Sequence, residues 1–261
     1  MNHSDTPIVK VLSDIDGTLL RFGVPKVNPA VKDALKKLRR NNIDVHLATS
    51  RTVATTQGLV EDIAIGHQLA ITDSGATVVY ADTLEVVWKQ WLDKELAYQL
   101  SSLLVPYATL ICCTVKYAPF TKKDAKEMIA EGKHVFDDVP SIFMVHTQKT
   151  IQPIRTILAS FKTIRTHTEL FESGPFYGTQ ITRKGVDKKS GTMQLLALAG
   201  EYSGKILAIG DGSNDLPLFE AADIKVAMGS APRAMKEQAD FVTDTVDHDG
   251  FVRAMCEYNL I

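Results

Sequence analysis

Three short groups of polar residues contain the side chains that could perform chemistry. Asp14 and Asp16 stand two residues apart in the string Asp-Ile-Asp-Gly-Thr, and Asp211 and Asp215 belong to the string Gly-Asp-Gly-Ser-Asn-Asp. Thr49 lies in the third group. Carboxylates without nitrogen or sulfur ligands make a site that suits Mg²⁺ better than Zn²⁺. We therefore predict that Asp14 and Asp211 bind Mg²⁺ once the chain brings them together.

The same residues could supply a nucleophile and a proton donor. A carboxylate can attack a phosphate ester and form an aspartyl-phosphate, and we predict this role for Asp14. Asp16 would give a proton to the leaving oxygen and later take one from water. We predict that the phosphate oxygens are held by Thr49, by the N–H groups of the helix that follows it, and by Lys188.

Each residue taken alone has a plainer explanation. A single aspartate after a strand is usually a turn or helix cap, as is a single threonine, and a single lysine is usually solvated. The pattern Asp-x-Asp-Gly-Thr, however, arises by chance in well under about 1% of chains of this length. Its occurrence together with Gly-Asp-Gly-Ser-Asn-Asp therefore favours a catalytic site.

The predicted strands must carry these groups to one edge of a sheet. Apolar runs predict strands at residues 8–12, 43–48, 69–72, 205–209 and 224–227. Helices are predicted at residues 53–60, 188–199, 216–222 and 232–238, and a further one begins at Asn28-Pro29. Such alternation indicates parallel strands joined by helices. Ligands bind at the carboxyl ends of such strands, where the polar groups stand.

The middle of the chain has a different pattern. From about residue 81 to residue 183, the expected order is strand, helix, strand, helix, strand, helix, strand. We interpret this segment as an inserted α+β domain. Residues 1–80 and 184–261 would then form the core domain, and residues 81–183 the insertion.

The overall composition is ordinary for a globular protein. The 261 residues are 45% hydrophobic, the net charge is −2 and the pI is about 6.4, so we expect no nucleic-acid partner. No apolar run approaches the roughly 20 residues of a membrane span, and no signal pattern is present. We therefore expect no membrane association, a cytoplasmic location, and a monomer or weak homodimer. Three cysteines are a poor basis for a disulfide framework.

Taken together, the motifs resemble those of the haloacid dehalogenase (HAD) phosphatases. Residues 14–19 look like the first motif, Thr49 the second, Lys188 the third and residues 210–215 the fourth. The insertion lies between the second and third motifs, as a C2 cap does, and its mixture of strands and helices resembles the C2B cap of the Cof-type group, subfamily IIB. The resemblance implies a three-layer Rossmannoid α/β core with a parallel sheet, and a cap that selects the substrate.

The resemblance also implies roles for further residues. The backbone carbonyl of Asp16 would bind Mg²⁺ with Asp14 and Asp211, and Asp215 would orient metal-bound waters. The residues implied to hold phosphate are Thr49, Ser50, Lys188 and Asn214. Apart from the resemblance, cations and aromatics near the cleft could recognise a sugar, a carboxylate or a second phosphate, and the candidates for substrate specificity are Arg51, Lys116, Tyr117 and Arg183.

Four positions depart from the usual Cof-type pattern. Ser50 and Lys189 stand where relatives usually have Gly, and Ser74 and Val246 stand where they usually have Asn. None is a metal ligand or one of the two catalytic carboxylates, so we expect the departures to concern the choice of substrate.

The expected activity is Mg²⁺-dependent hydrolysis of small phosphate monoesters, such as sugar phosphates or related metabolites, through an aspartyl-phosphate on Asp14. Asp16 favours hydrolysis over dehalogenation, because a dehalogenase lacks this second carboxyl group. One alternative is a phosphotransferase or phosphomutase with the same nucleophile, although phosphomannomutase-like relatives have a different fourth motif. Another is a catalytically idle binding module, which the retention of every charged motif residue disfavours.

Overall fold

The computed structural model describes residues 6–112, 120–170 and 174–261. Lys116 and Tyr117, two of the expected specificity residues, lie outside the described residues. In the N-terminal part the elements are β1 (Ile8–Ser13), α1 (Pro29–Arg40), β2 (Asp44–Ala48), α2 (Val53–Ile63), β3 (Leu69–Thr72), β4 (Thr77–Tyr80) and β5 (Val86–Lys89).

The middle and C-terminal parts alternate strands and helices as well. The middle part contains α3 (Lys94–Leu104), β6 (Leu110–Cys112), β7 (Phe120–Thr121), α4 (Lys122–Glu131), β8 (Ile142–Thr147), α5 (Ile151–Ala159), β9 (Ile164–Leu170) and β10 (Phe176–Arg183). The C-terminal part contains α6 (Lys188–Leu198), β11 (Lys205–Gly210), α7 (Leu216–Phe219), β12 (Ile224–Ala227), α8 (Arg233–Lys236), β13 (Phe241–Val242) and α9 (Gly250–Glu257).

The described strands form two sheets. The larger has the order β13-β12-β11-β1-β2-β3-β4-β5, and the strands from β13 to β3 run parallel. The smaller has the order β7-β6-β8-β10-β9 and is antiparallel. The expected α/β fold with a mostly parallel sheet and an additional cap domain is confirmed.

The larger sheet is covered by helices on both faces. Val11 of β1 belongs to a cluster that includes buried residues of α1, α2 and α9, whereas the next residue, Leu12, packs with buried residues of α6, α7 and α8. Successive side chains of a strand point to opposite faces, so this alternation produces the three layers. The smaller sheet and its helices have a separate cluster of buried residues.

Helix α1 illustrates how the sequence specifies its elements. The side chain of Asn28 accepts a hydrogen bond from the Ala30 N–H at 3.0 Å, and Pro29 occupies the first turn. The buried residues follow helical spacing and form one face, which packs into the core: Val31, Ala34, Leu35 and Leu38. The predicted bounds of β3 and β12 are confirmed, and the other predicted elements lie within a few residues of their expected positions.

The hairpin of β4 and β5 was not anticipated. β4 runs antiparallel to β3, and β5 runs antiparallel to β4, so both extend the larger sheet. β5 therefore pairs with the core sheet, although it lies within the segment expected to form the insertion. None of the described helices has the length and apolar character that crossing a bilayer requires.

Candidate active site

Four neighbouring strands of the larger sheet end at the same edge. In spatial order these are β11, β1, β2 and β3. Asp211 follows β11, Asp14 follows β1, Thr49 follows β2, and Ser74 lies in the turn after β3. Because parallel strands present their carboxyl ends together, residues that are far apart in sequence meet here.

Three carboxylates meet at this edge. Asp14, Asp211 and Asp215 each offer an oxygen, and these oxygens all lie within 4.8 Å of one another. The loop after β11 holds Asp215, whose Oδ2 accepts hydrogen bonds from the N–H groups of Asp211 at 3.1 Å and Gly212 at 3.0 Å. The Asp14 N–H donates to the carbonyl of Ile209 at 3.0 Å, which joins the ends of β1 and β11.

A buried lysine joins two of these carboxylates. Lys188 is the first residue of α6, and Asp187 caps this helix through a reciprocal hydrogen-bond pair with Ser190. Its Nζ donates to Asp14 Oδ1 at 2.6 Å and to Asp215 Oδ1 at 2.5 Å, and its side chain is 1% exposed. The structure thus positions the ammonium group beside the expected nucleophile.

The protonation equilibria reflect this crowding. Burial, and then the charge of Asp215, raise the pKa of Asp14 well above its ordinary value, although Lys188 opposes the shift. Burial and Asp215 likewise raise the pKa of Asp211 to about 7, and Glu169 adds to this effect. Burial by itself would lower the pKa of Lys188, but the adjacent carboxylates raise it above its ordinary value. Lys188 therefore remains protonated.

This arrangement fits a divalent cation. Buried carboxylates that repel one another are stabilised by a nearby cation, and the three groups contribute oxygen ligands only. Gly17 allows the close approach of the first loop, because it has a φ of +84° and a Cβ there would overlap the carboxylate of Asp211. The residues present therefore fit Mg²⁺.

Asp16 lies outside the three-carboxylate group and is held by an arginine. Arg51 Nε donates to Asp16 Oδ2 at 2.7 Å, and Arg51 Nη2 donates to Asp16 Oδ1 at 2.7 Å. This pairing raises the pKa of Arg51. Arg51, expected to select substrate, thus binds the expected general acid/base directly.

The loop after β2 is held by the turn after β3. The Asp73 N–H donates to the carbonyl of Arg51 at 2.8 Å, and the Ser74 N–H donates to that of Thr49 at 3.2 Å. Asp73 and Ser74 have positive φ angles of 54° and 58°, a conformation that is uncommon for residues other than glycine. The Thr49 hydroxyl accepts from the Arg51 N–H at 3.1 Å, and a hydroxyl can also donate one hydrogen bond.

Ser50 and Asn214 meet from opposite sides of the cleft. The Asn214 side-chain amide donates to Ser50 Oγ at 3.1 Å. The residues expected to hold phosphate therefore lie at the same sheet edge as Asp14, on two loops and at the start of α6: Thr49, Ser50, Lys188 and Asn214. Their roles toward a phosphate group remain predictions.

The smaller sheet covers this edge and encloses a cavity with it. The core lines the cavity with Ser50, Ser74, Lys188 and Asn214, and the cap lines it mainly with polar side chains of β9 and β10. The described lining does not include Arg183, whose guanidinium lies 3.6 Å from Asp93.

Two of the four unusual positions lie at this cavity, namely Ser50 and Ser74. Lys189 is instead on the surface, where its Nζ donates to Glu220 at 2.6 Å. Val246 packs against the core cluster that includes buried residues of α1, α2 and α9.

Sequence reasoning missed the cap residues that face the cavity. Arg165, His167 and Glu169 occupy alternate positions of β9 and all line it, as does Gln180 of β10. The alternation of charged and small polar residues in Ile-Arg-Thr-His-Thr-Glu-Leu was the available signal, because one face of a strand carries every second residue. What that face contacts could not be inferred locally.

Comparisons with known proteins agree with this geometry. A family model described as haloacid dehalogenase-like hydrolase matches residues 11–255. The putative phosphatase YxeH of Bacillus subtilis is 27% identical over 262 residues, which covers 94% of this chain and 96% of that protein.

Solved structures agree as well. A phosphatase of the haloalkanoate (HAD) enzyme superfamily from Bacteroides thetaiotaomicron is 26% identical, with a TM-score of 0.75 and coverage of 100% of this chain and 98% of that one. A HAD subclass IIB sugar phosphatase has a TM-score of 0.75 at 22% identity, with coverage of 97% and 99%, and shows that the fold is shared.

Proposed function

Because this chain belongs to the haloacid dehalogenase-like hydrolase family, we propose that it is a Mg²⁺-dependent phosphatase that forms an aspartyl-phosphate on Asp14. Its similarity to phosphatases indicates that it is a phosphoric monoester hydrolase that acts on small phosphate esters. One observation above all supports the proposed Mg²⁺-dependent mechanism. Carboxylate oxygens of Asp14, Asp211 and Asp215 lie within 4.8 Å of one another, beside the ammonium of Lys188.

The residues that would hold Mg²⁺ are Asp14, Asp211 and the backbone carbonyl of Asp16, and Asp215 would orient metal-bound waters. When bound, the ion would neutralise part of the negative charge of the phosphate and the carboxylates and polarise the phosphoryl oxygens. Lys188 is already paired with Asp14 and Asp215, and its charge would also attract phosphate oxygens.

In the first step, an Asp14 carboxylate oxygen attacks phosphorus, a bond forms between them, and the bond to the leaving oxygen breaks. Asp16 gives its proton to the leaving oxygen. In the second step, Asp16 takes a proton from a water molecule that attacks the aspartyl-phosphate. Inorganic phosphate and free Asp14 result.

The remaining residues orient the phosphate group during both steps. The Thr49 hydroxyl and the side chains of Ser50 and Asn214 can each donate a hydrogen bond to phosphate oxygens. A substrate phosphate would compete for the Asn214 amide that now donates to Ser50. The substrate is expected to be a sugar phosphate or a related metabolite, because most of the residues that line the cavity have polar side chains.

The test is phosphate release from p-nitrophenyl phosphate and a panel of phosphate esters, with Mg²⁺ and with EDTA. We expect release that EDTA abolishes and that Asp14→Asn lowers by at least about 10³-fold, since the variant lacks the attacking carboxylate. Rapid acid quench of the native enzyme with a labelled phosphate ester should trap label on the protein, and Asp14→Asn should trap none.

Three results would contradict the proposal. They are undiminished release in EDTA, full activity of Asp14→Asn, and movement of phosphate between positions of a sugar without net release. The last would indicate a phosphomutase with the same nucleophile. The control is Asp33→Asn, because Asp33 lies on the exposed side of α1 and its side chain is 73% exposed.

A further inference from the structure

The cap strand β9 presents a row of three ionisable side chains to the cavity. Arg165, His167 and Glu169 alternate along β9, so they project from the same face of the smaller sheet. Their antiparallel partners on β10 are Thr182, Gln180 and Gly178, respectively. β9 is an edge strand of this sheet, and all six of these residues line the cavity.

This row lies directly over the loops of the core. Arg165 Nε is 3.7 Å from Asp187 Oδ2, at the start of α6. His167 Nε2 is 3.5 Å from Ser213 Oγ, in the loop between β11 and α7. A leaving group that extends from a phosphate at Lys188 toward the cap therefore meets this row.

The charged groups that line the cavity are not equally available to a substrate. Lys188 is paired with two carboxylates, and Arg165 with Asp187. Glu169 is the one carboxylate among the described residues that line the cavity. His167 Nε2 lies 3.6 Å from Glu169 Oε2, and the imidazole ring carries charge only when it is protonated. The cross-strand partner Gly178 has no side chain, so no side chain of β10 lies directly beside Glu169 on this face.

We propose that Glu169 determines leaving-group specificity, by accepting hydrogen bonds from hydroxyl groups and repelling leaving groups that carry a carboxylate or a second phosphate. An ionised carboxylate only accepts hydrogen bonds, and its two oxygens suit two hydroxyls of a polyol. A second anion close to it raises the free energy of the complex. The inference rests on the proposed phosphatase function and names the class of substrate that this site selects.

The test compares two substrates that differ at one end. Glycerol 3-phosphate carries a hydroxymethyl group where 3-phosphoglycerate carries a carboxylate. We expect the native enzyme to favour glycerol 3-phosphate in kcat/KM by about tenfold or more. Glu169→Gln should reduce this ratio by about tenfold, because the amide no longer repels the carboxylate and can donate a hydrogen bond to it. The ratio does not depend on the fraction of active enzyme in a preparation.

The matched control is Glu131→Gln, since Glu131 is an exposed residue at the end of cap helix α4. This variant should keep the native ratio. An unchanged ratio in Glu169→Gln, or a native preference for 3-phosphoglycerate, would overturn the inference, and the latter would assign recognition to Arg165. Absence of phosphate release from p-nitrophenyl phosphate by the native enzyme would contradict the proposed function itself.

Discussion

At the level of single residues, Asp16 both pairs with Arg51 and is the proposed general acid. Both of its oxygens accept hydrogen bonds from Arg51 at 2.7 Å, and this bidentate pairing fixes the orientation of the carboxyl group. A general acid, however, must carry a proton when the leaving oxygen departs. Arg51 is thus a positioning residue, and at least one of its hydrogen bonds must be released or rearranged before Asp16 acts as the acid.

Arg51→Met should weaken proton transfer more than phosphate binding. We expect kcat for an alkyl phosphate to fall by about 10- to 100-fold, because Asp16 loses its orientation. The loss for p-nitrophenyl phosphate should be smaller, since its leaving group needs little protonation. Arg51→Lys keeps the charge but not the two parallel hydrogen bonds, so an intermediate loss is expected. Steady-state kinetics with both substrates measure these effects.

Arg40→Met is the control for this comparison, because Arg40 lies on the exposed side of α1. It should leave both values of kcat unchanged. An equal loss for the two substrates in Arg51→Met would contradict a role in proton transfer and indicate a merely structural role.

At the level of elements, the position of the Lys188 ammonium depends on how closely α6 approaches the turn after β3. Gly191 lies one turn after Lys188 on α6. A Cβ at Gly191 would lie 2.9 Å from both Gly75 Cα and Ile71 Cγ2, which is too close for a side chain to be accommodated without movement. The absence of a side chain at this position therefore sets the depth at which the Lys188 ammonium enters the site.

Gly191→Ala should push α6 away from the turn. We expect the free energy of unfolding to fall by about 1–3 kcal/mol, and kcat to fall as Lys188 moves away from Asp14. Urea denaturation and p-nitrophenyl phosphate kinetics measure the two effects.

Gly58→Ala is the matched substitution on α2, where a Cβ would meet no atom within 4 Å. It should stabilise the protein by up to about 1 kcal/mol, because alanine favours helix. If Gly191→Ala were also stabilising, the close approach of α6 would not control the position of Lys188.

At the level of the whole molecule, the division into core and cap is a proposal that the strand pairing modifies. Buried residues between Leu92 and Ile181 form one cluster, apart from the two clusters beside the larger sheet. β5 pairs with β4 in the larger sheet. We therefore move the proposed boundary from residue 80 to residue 89, so that the cap comprises residues 90–183.

Metal binding should stabilise the whole fold, because the three carboxylates come together only in the native state. A ligand that binds only the native state adds about 2.7 kcal/mol at a concentration 100 times its Kd. We therefore expect saturating Mg²⁺ to raise the Tm of the native protein by a few degrees, and EDTA to reverse the shift. Differential scanning fluorimetry measures the change.

Asp211→Asn should remove most of this shift, because it deletes one ligand of the proposed site. In the absence of Mg²⁺, the same variant should be at least as stable as the native protein, since it removes one of three mutually repelling carboxyl groups. An equal Mg²⁺-dependent shift in both proteins would argue that the ion binds elsewhere.

The sequence alone determined the motif residues, the main elements and the family, because these depend on local patterns. Each apolar strand run is followed within a few residues by its polar group, so Asp14, Thr49 and Asp211 could be assigned to one sheet edge. Helical spacing likewise predicted α1.

Only the tertiary structure decided which partners these residues meet. The Arg51–Asp16 pair joins residues 35 positions apart, and the β4–β5 hairpin joins the core sheet instead of the cap. The site-facing row of Arg165, His167 and Glu169 depends on the register of β9 and on how the cap lies against the core. Local patterns show which side chains share a strand face, but the packing of distant segments decides what that face contacts.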